Sequence, residues 1–260
     1  MRRYRMLQAP VMAFFSSSFY RDVGLNWKGT AFGYLLLLLA ICWIPTFIQF
    51  QFSVSAYIKN DAPALVSQIP PIRIIKGEAF ADVAQPYKII APDTGKAIFL
   101  IDTTGATTSL EGSEARGLLT KTSLTFQKDE NETRTISLKN IENFTLTQQR
   151  VSGWLKIVRN FSSVVFYLFA FIGSSIFRII QALVYTVIGL LVAKLCRTRI
   201  PYQTLLSLAL MAITPAIITA TIVELLKIKI PLSGWIYFFA AMLYLFIGIK
   251  AMKTNQTDSG

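Results

Sequence analysis

The chain contains no histidine and only two cysteines, Cys42 and Cys196. Without histidine there is no Ser-His or Cys-His catalytic pair, and the commonest transition-metal ligand is missing. Neither cysteine falls between residues 59 and 159, so that stretch has no disulfide and must be held by its own core. Charge is scarce as well. Only 15% of the 260 residues are charged, against about 25% in soluble domains. No phosphate-binding glycine loop, HExxH, CxxC or GxSxG sequence occurs. No catalytic set, no cofactor site and no metal site is therefore expected.

What fills the chain instead is apolar sequence, 53% of all residues. It is concentrated in four stretches, residues 29–58, 160–196, 200–224 and 230–250. Each is long enough for a helix to cross a hydrocarbon core, which takes roughly 20 residues. The expected fold is an α-helical transmembrane bundle of four spans, five being possible, with an inserted, small, mainly-β extracytoplasmic domain. Residues 1–28 precede the first span, 59–159 form the insert with helical stalks, and 251–260 are a tail. The bilayer is thus the first expected partner.

The net charge of +12 is unevenly spread. Residues 59–159 hold 13 basic and 11 acidic side chains, which nearly cancel. The excess flanks the apolar stretches: Arg2, Arg3, Arg5, Arg21 and Lys28, then Lys194, Arg197 and Arg199. A nucleic-acid reader would carry its basic face on a folded domain, so nucleic acid is not an expected partner. The positive-inside rule places both termini in the cytoplasm and residues 59–159 outside. The second apolar stretch exceeds one bilayer crossing. It reads as one long helix, because two helices turning at Gly173–Ser175 would put the 194–199 cations on the wrong side. Upstream, Leu7, Val11, Phe14, Phe15 and Phe19 recur at helical spacing. They suit an amphipathic helix on the inner membrane surface or, equally, one packed against the spans.

Between residues 70 and 149 the pattern changes to short β-prone runs. Strands are expected at 72–75, 87–91, 96–101, 118–127 and 133–138, and helices at 60–68 and from 141 to 150. Turns are signalled at Lys76-Gly77, at Asp93-Thr94-Gly95 and at Asp102 to Gly105. The two Asp-Thr segments invite comparison with aspartic proteases, whose paired carboxylates share a proton. Asp93 and Asp102, however, suit opposite ends of one strand, and turn capping explains both better. The sequons at Asn131 and Asn143 carry no weight in most bacteria.

Inside the spans, Arg178 is the outstanding residue, because an intramembrane charge is a functional candidate by default. It suits either snorkelling toward the headgroups or pairing with Glu224. Pro45 and Pro215 interrupt the first and third spans, and Gly173 to Ser175 with Gly189 would allow close helix packing. Arg178, Glu224 and Asp102 are the candidate functional polar residues.

Several segments resemble one family. Ser18 to Val23 followed by Trp27-Lys28-Gly29, Ile69-Pro70 with Ile74 to Gly77, Ile101 to Gly105, and Tyr202-Gln203 leading to Thr214-Pro215 occur in the order seen in the bacterial domain-of-unknown-function family 1189, similar in layout to Yip-like multispanning proteins. The resemblance implies a bacterial inner-membrane location and carries over no catalytic residue. The expected function is non-enzymatic: an extracytoplasmic domain that binds a membrane or periplasmic protein partner or senses the envelope. The alternative is a small-solute or lipid transporter or accessory subunit. A hydrolase using Asp102 ranks last.

Overall fold

The computed structural model describes residues 3–129 and 132–257, with side chains to residue 253 in the last helix. Arg2, the sequon residue Asn131 and the last residues of the tail lie outside it. Among the described residues, four helical segments are long and apolar enough to cross a membrane: Thr30–Asn60, Gln148–Leu195, Tyr202–Leu225 and Ser233–Lys253. The protein is therefore a multi-pass membrane protein with a β-sheet domain inserted between its first two spans. It divides into two compact units, residues 1–49 with 164–260, and residues 50–163.

The first unit begins with short pieces rather than one amphipathic helix. A 3-10 turn at Met6–Gln8 leads to α1 (Ala9–Phe15), α2 (Ser17–Asp22) and a π-helical turn at Val23–Trp27. The break falls at Ser16, which is extended and caps α2 by accepting the Phe19 N–H. Small Ala9 and Ala13 are fully buried, whereas Leu7 and Phe15 are 82% and 85% exposed. Ala9 and Ala13 thus pack inward, while Leu7, Val11 and Phe15 face outward. Phe19, Tyr20, Val23 and Trp27 are buried in the core of the helical unit.

The spans follow as α3 (Thr30–Asn60), α5 (Gln148–Leu195), α6 (Tyr202–Ala212) with α7 (Thr214–Leu225), and α8 (Ser233–Thr257). The second span lies within one uninterrupted helix, Gln148–Leu195. The third breaks at Ile213 because Pro215, in the first turn of α7, has no N–H for the preceding helix. Pro45 lies within α3 without ending it. Gly189 permits close approach, since a Cβ there would sit 2.9 Å from Leu205 Cδ2. Gly173 does not: nothing lies within 4 Å of its would-be Cβ.

The second unit carries α4 (Ala62–Val66) and eight strands: β1 (Ile72–Ile75), β2 (Glu78–Ala81), β3 (Tyr87–Ile90), β4 (Ala97–Asp102), β5 (Gly117–Thr120), β6 (Ser123–Asp129), β7 (Glu132–Ser137) and β8 (Asn143–Leu146). They form a three-stranded sheet, order β2-β1-β8, and a five-stranded sheet, order β3-β4-β5-β6-β7. The pairings are antiparallel except β4 with β5, which residues 103–116 join as a parallel pair. The β1–β2 hairpin turns on Lys76 and Gly77, both at positive φ (50° and 84°), as a tight two-residue turn demands.

Two expectations are corrected here. Residues 118–127 are not one strand but the β5–β6 hairpin, whose turn is held by hydrogen bonds between Thr120 and Ser123. Residues 141–146 are not helical. Strand β8 joins β1 in register, Ile74 opposite Phe144, and the helix starts only at Gln148. The core of this unit lies between the sheets, where Ile72, Ile74, Ile89, Ile101, Leu119 and Leu138 are buried.

Candidate functional site

The sequence candidates fall in two places. Asp102 ends β4 with its side chain fully buried. One carboxylate oxygen accepts from Thr104 N–H (3.0 Å) and Thr104 Oγ1–H (2.6 Å), the other from Thr107 N–H (2.6 Å). Burial pushes its pKa up, but these hydrogen bonds outweigh that and hold the carboxyl at about 2. Asp102 therefore organises the turn after β4 as a cap that is ionised at neutral pH. Asp93, exposed in the β3–β4 turn, lies beyond the other end of the same strand. The two carboxylates do not form a facing pair.

Arg178 and Glu224 do line a common cavity. It measures about 110 Å³ and is walled by Leu39, Cys42, Trp43 and Thr46 of α3, Ser174 and Arg178 of α5, and Ile217, Ala220, Thr221 and Glu224 of α7. Trp43 Nε1 donates to Ser174 Oγ at 2.7 Å and Tyr167 OH donates to the Ala40 carbonyl at 2.9 Å, fastening α3 to α5 around it. Arg178 is not salt-bridged to Glu224. Its guanidinium donates to Gln181 Oε1 (2.6 Å), whose amide donates in turn to Tyr185 OH (2.7 Å). The guanidinium also lies 5.5 Å from the centroid of the Phe177 ring. Every ion pair found among the described residues belongs to the inserted domain. The arginine is thus solvated by neutral groups on its own helix.

A larger cavity, missed by motif reasoning, lies between the two sheets. It measures about 420 Å³, and its twelve lining side chains are all apolar. Ile72, Ile74, Phe144 and Leu146 come from the smaller sheet. Ile89, Phe99, Ile101, Leu119 and Leu124 come from the larger one, with Ile69, Leu138 and Ile141 at the connections. The alternating apolar positions of the strands signalled a core. They could not signal that the core is incompletely filled.

A second polar site gathers in the amino-terminal segment. Asp22, buried, accepts from the backbone N–H of Arg3 (3.1 Å) and Tyr4 (3.3 Å), from Asn26 Nδ2 (2.7 Å) and from Trp27 Nε1 (3.0 Å). Burial would raise its carboxyl, yet these donors together hold it below the ordinary carboxylate range. The spacing Asp22, Asn26, Trp27 on one helical face explains why these residue types occur together. Among the described residues no cluster of three His, Cys, Asp or Glu side chains could hold a metal ion.

Neither a curated protein nor a solved structure matches this chain. A family model does, that of the proteins of unknown function DUF1189, over residues 7–249. That range takes in Asp22, Asn26 and Trp27, the inserted domain, the first three spans and most of the fourth, and the chain belongs to this family.

Proposed function

We propose that the protein is a non-enzymatic binding protein of the bacterial cytoplasmic membrane, with both termini in the cytoplasm and the inserted domain outside. The observation that carries the binding role is the cavity between the sheets. About 420 Å³ of space opens between the sheets against a wholly apolar wall, and leaving such a wall in contact with water costs roughly 25 cal/mol per Å². Water is a poor filler, because an ordered water needs two to four polar partners and the walls offer none. An apolar occupant resolves both problems. The volume falls in the ordinary range for ligand sites, about 300–1,000 Å³. The ligand class is therefore an amphiphile whose hydrocarbon chain enters the cavity, and the inserted domain reports on or hands over such a molecule in the envelope.

The test is to purify the full chain in native-lipid discs and identify the co-purifying amphiphiles by mass spectrometry. Ile141→Trp, which fills the cavity from a half-buried wall position, should remove one species specifically. An unchanged lipid complement in that variant would refute the reading. The orientation rests on the flanking cations and is tested by reagent access to Cys196, which should be labelled from the cytoplasmic side only.

The cavity at Arg178 favours a second reading, a transporter or accessory subunit. On this reading Arg178→Ala abolishes solute flux in reconstituted vesicles while expression is kept. Unchanged flux removes it.

A further inference from the structure

The 50–163 unit contains another cleft, of about 640 Å³, at the base of its two helical stalks. Its walls come from the end of α3, from α4 and from the first three turns of α5. Lys59, Lys156 and Arg159 line it together with the polar side chains of Gln149 and Ser152, and the apolar part is Ile58, Val66 and Leu155. No carboxylate lines the cleft, and none of the ion pairs found among the described residues involves these three cations. Three like charges around one cleft repel each other, so the arrangement gains from an anion.

The cleft is a built structure rather than a chance grouping of surface lysines. Gln148 Nε2 donates to the carbonyls of Ser67 (3.0 Å) and Ile69 (3.1 Å), tying the start of α5 to the segment after α4. Gln51 Nε2 donates to the Arg159 carbonyl at 3.0 Å, and Ser163 Oγ donates to Gln51 Oε1, tying α3 to α5 on the other side. Along the sequence, Lys59 is the first charge after the apolar stretch of the first span, and Arg159 the last before that of the second. That is the position at which a span meets phospholipid headgroups. Topology does not account for these cations, because a loop of about a hundred residues is translocated largely regardless of its charge.

We infer that this cleft binds a phosphate group, with Lys59, Lys156 and Arg159 as its ligands and Ile58, Val66 and Leu155 accommodating the apolar part of an anionic phospholipid. The site is separate from the cavity between the sheets, and either can exist without the other. An inorganic phosphate ion would satisfy the same cations, so the experiment has two arms. In the first, the full chain is placed in phosphatidylcholine discs with and without phosphatidylglycerol, and retained lipid is counted by native mass spectrometry. In the second, inorganic phosphate is titrated into the phosphatidylcholine discs. The triple variant Lys59→Gln/Lys156→Gln/Arg159→Gln is compared with Lys59→Arg/Lys156→Arg, which keeps the charge. Each cation near a headgroup surface contributes severalfold, so phosphatidylglycerol retention should fall at least about tenfold in the neutral variant and persist in the charge-keeping one. Phosphate binding with the same variant pattern, and no lipid preference, would support the site with the free ion as its ligand. Equal retention of both lipids by all three proteins, with no phosphate binding, would overturn the proposal.

Discussion

Two aspartates show how much a single carboxylate can organise when its hydrogen bonds are complete. Asp22 gathers four donors from two parts of the amino-terminal segment, residues 3–4 and 26–27. Its removal takes an acceptor from the Asn26 and Trp27 side chains and from two backbone N–H groups, and a hydrogen bond to a charged group is worth about 1.5–3 kcal/mol. Asp22→Ala should therefore release residues 3–8 to protease and lower the unfolding midpoint in detergent. An unchanged digestion pattern would refute this role. Asp102 behaves differently because its consequence is a pH dependence. Its carboxyl titrates at about 2 in the folded protein and near 4 when unfolded. A depressed folded pKa means the contribution is fully present above about pH 4 and is lost as pH falls toward 2. The β-sheet circular dichroism signal should thus lose thermal stability across that window, and Asp102→Asn should flatten the loss. A variant that retains the full acid dependence would assign it to other groups.

At the scale of elements, what the sequence made legible depended on whether a signal was local. The turn at Lys76-Gly77 and strand β1 were readable because positive φ and β-branched runs leave a local signature. The four long apolar helices were readable because uncharged runs of about 20 residues stand out in sequence. Strand β8 was misread as helix because its Asn-Phe-Thr-Leu run has a weak signal alone and is fixed by its pairing with β1. The β5–β6 hairpin was missed because Lys121 and Thr122 lack glycine, and side-chain bonds from Thr120 make the turn instead. Glycine packing could be named but not located, since only the neighbour decides. Gly189 faces Leu205 and Leu245, whereas Gly173 faces nothing. Gly189→Val should accordingly destabilise the helical unit by about 1–3 kcal/mol through overpacking, and Gly173→Val should be nearly neutral. Thermal unfolding of the two variants side by side checks the contrast, and equal effects would contradict it. The same logic applies to Gly117, where an added Cβ would collide with the ring of Phe99, itself a wall of the cavity between the sheets.

For the whole molecule, the division of labour follows from where charge and voids are kept. The helical unit holds Arg178, solvated by its own helix neighbours beside a cavity of about 110 Å³. The inserted domain holds an apolar cavity almost four times larger. The cavity between the sheets offers neither a nucleophile nor a base, and Asp102 is committed to its turn. The candidate site was only partly legible. Arg178 and Glu224 could be named, because charges in apolar sequence stand out, but the cavity between the sheets is a property of packing that no residue type announces.

The most direct test is photo-cross-linking of the full chain in lipid discs with a diazirine-bearing fatty acid, followed by peptide mapping. The account predicts labels on cavity walls such as Leu124, Ile141 and Phe144, lost in Ile141→Trp. Labels confined to the membrane-spanning helices, and unchanged by that substitution, would contradict it.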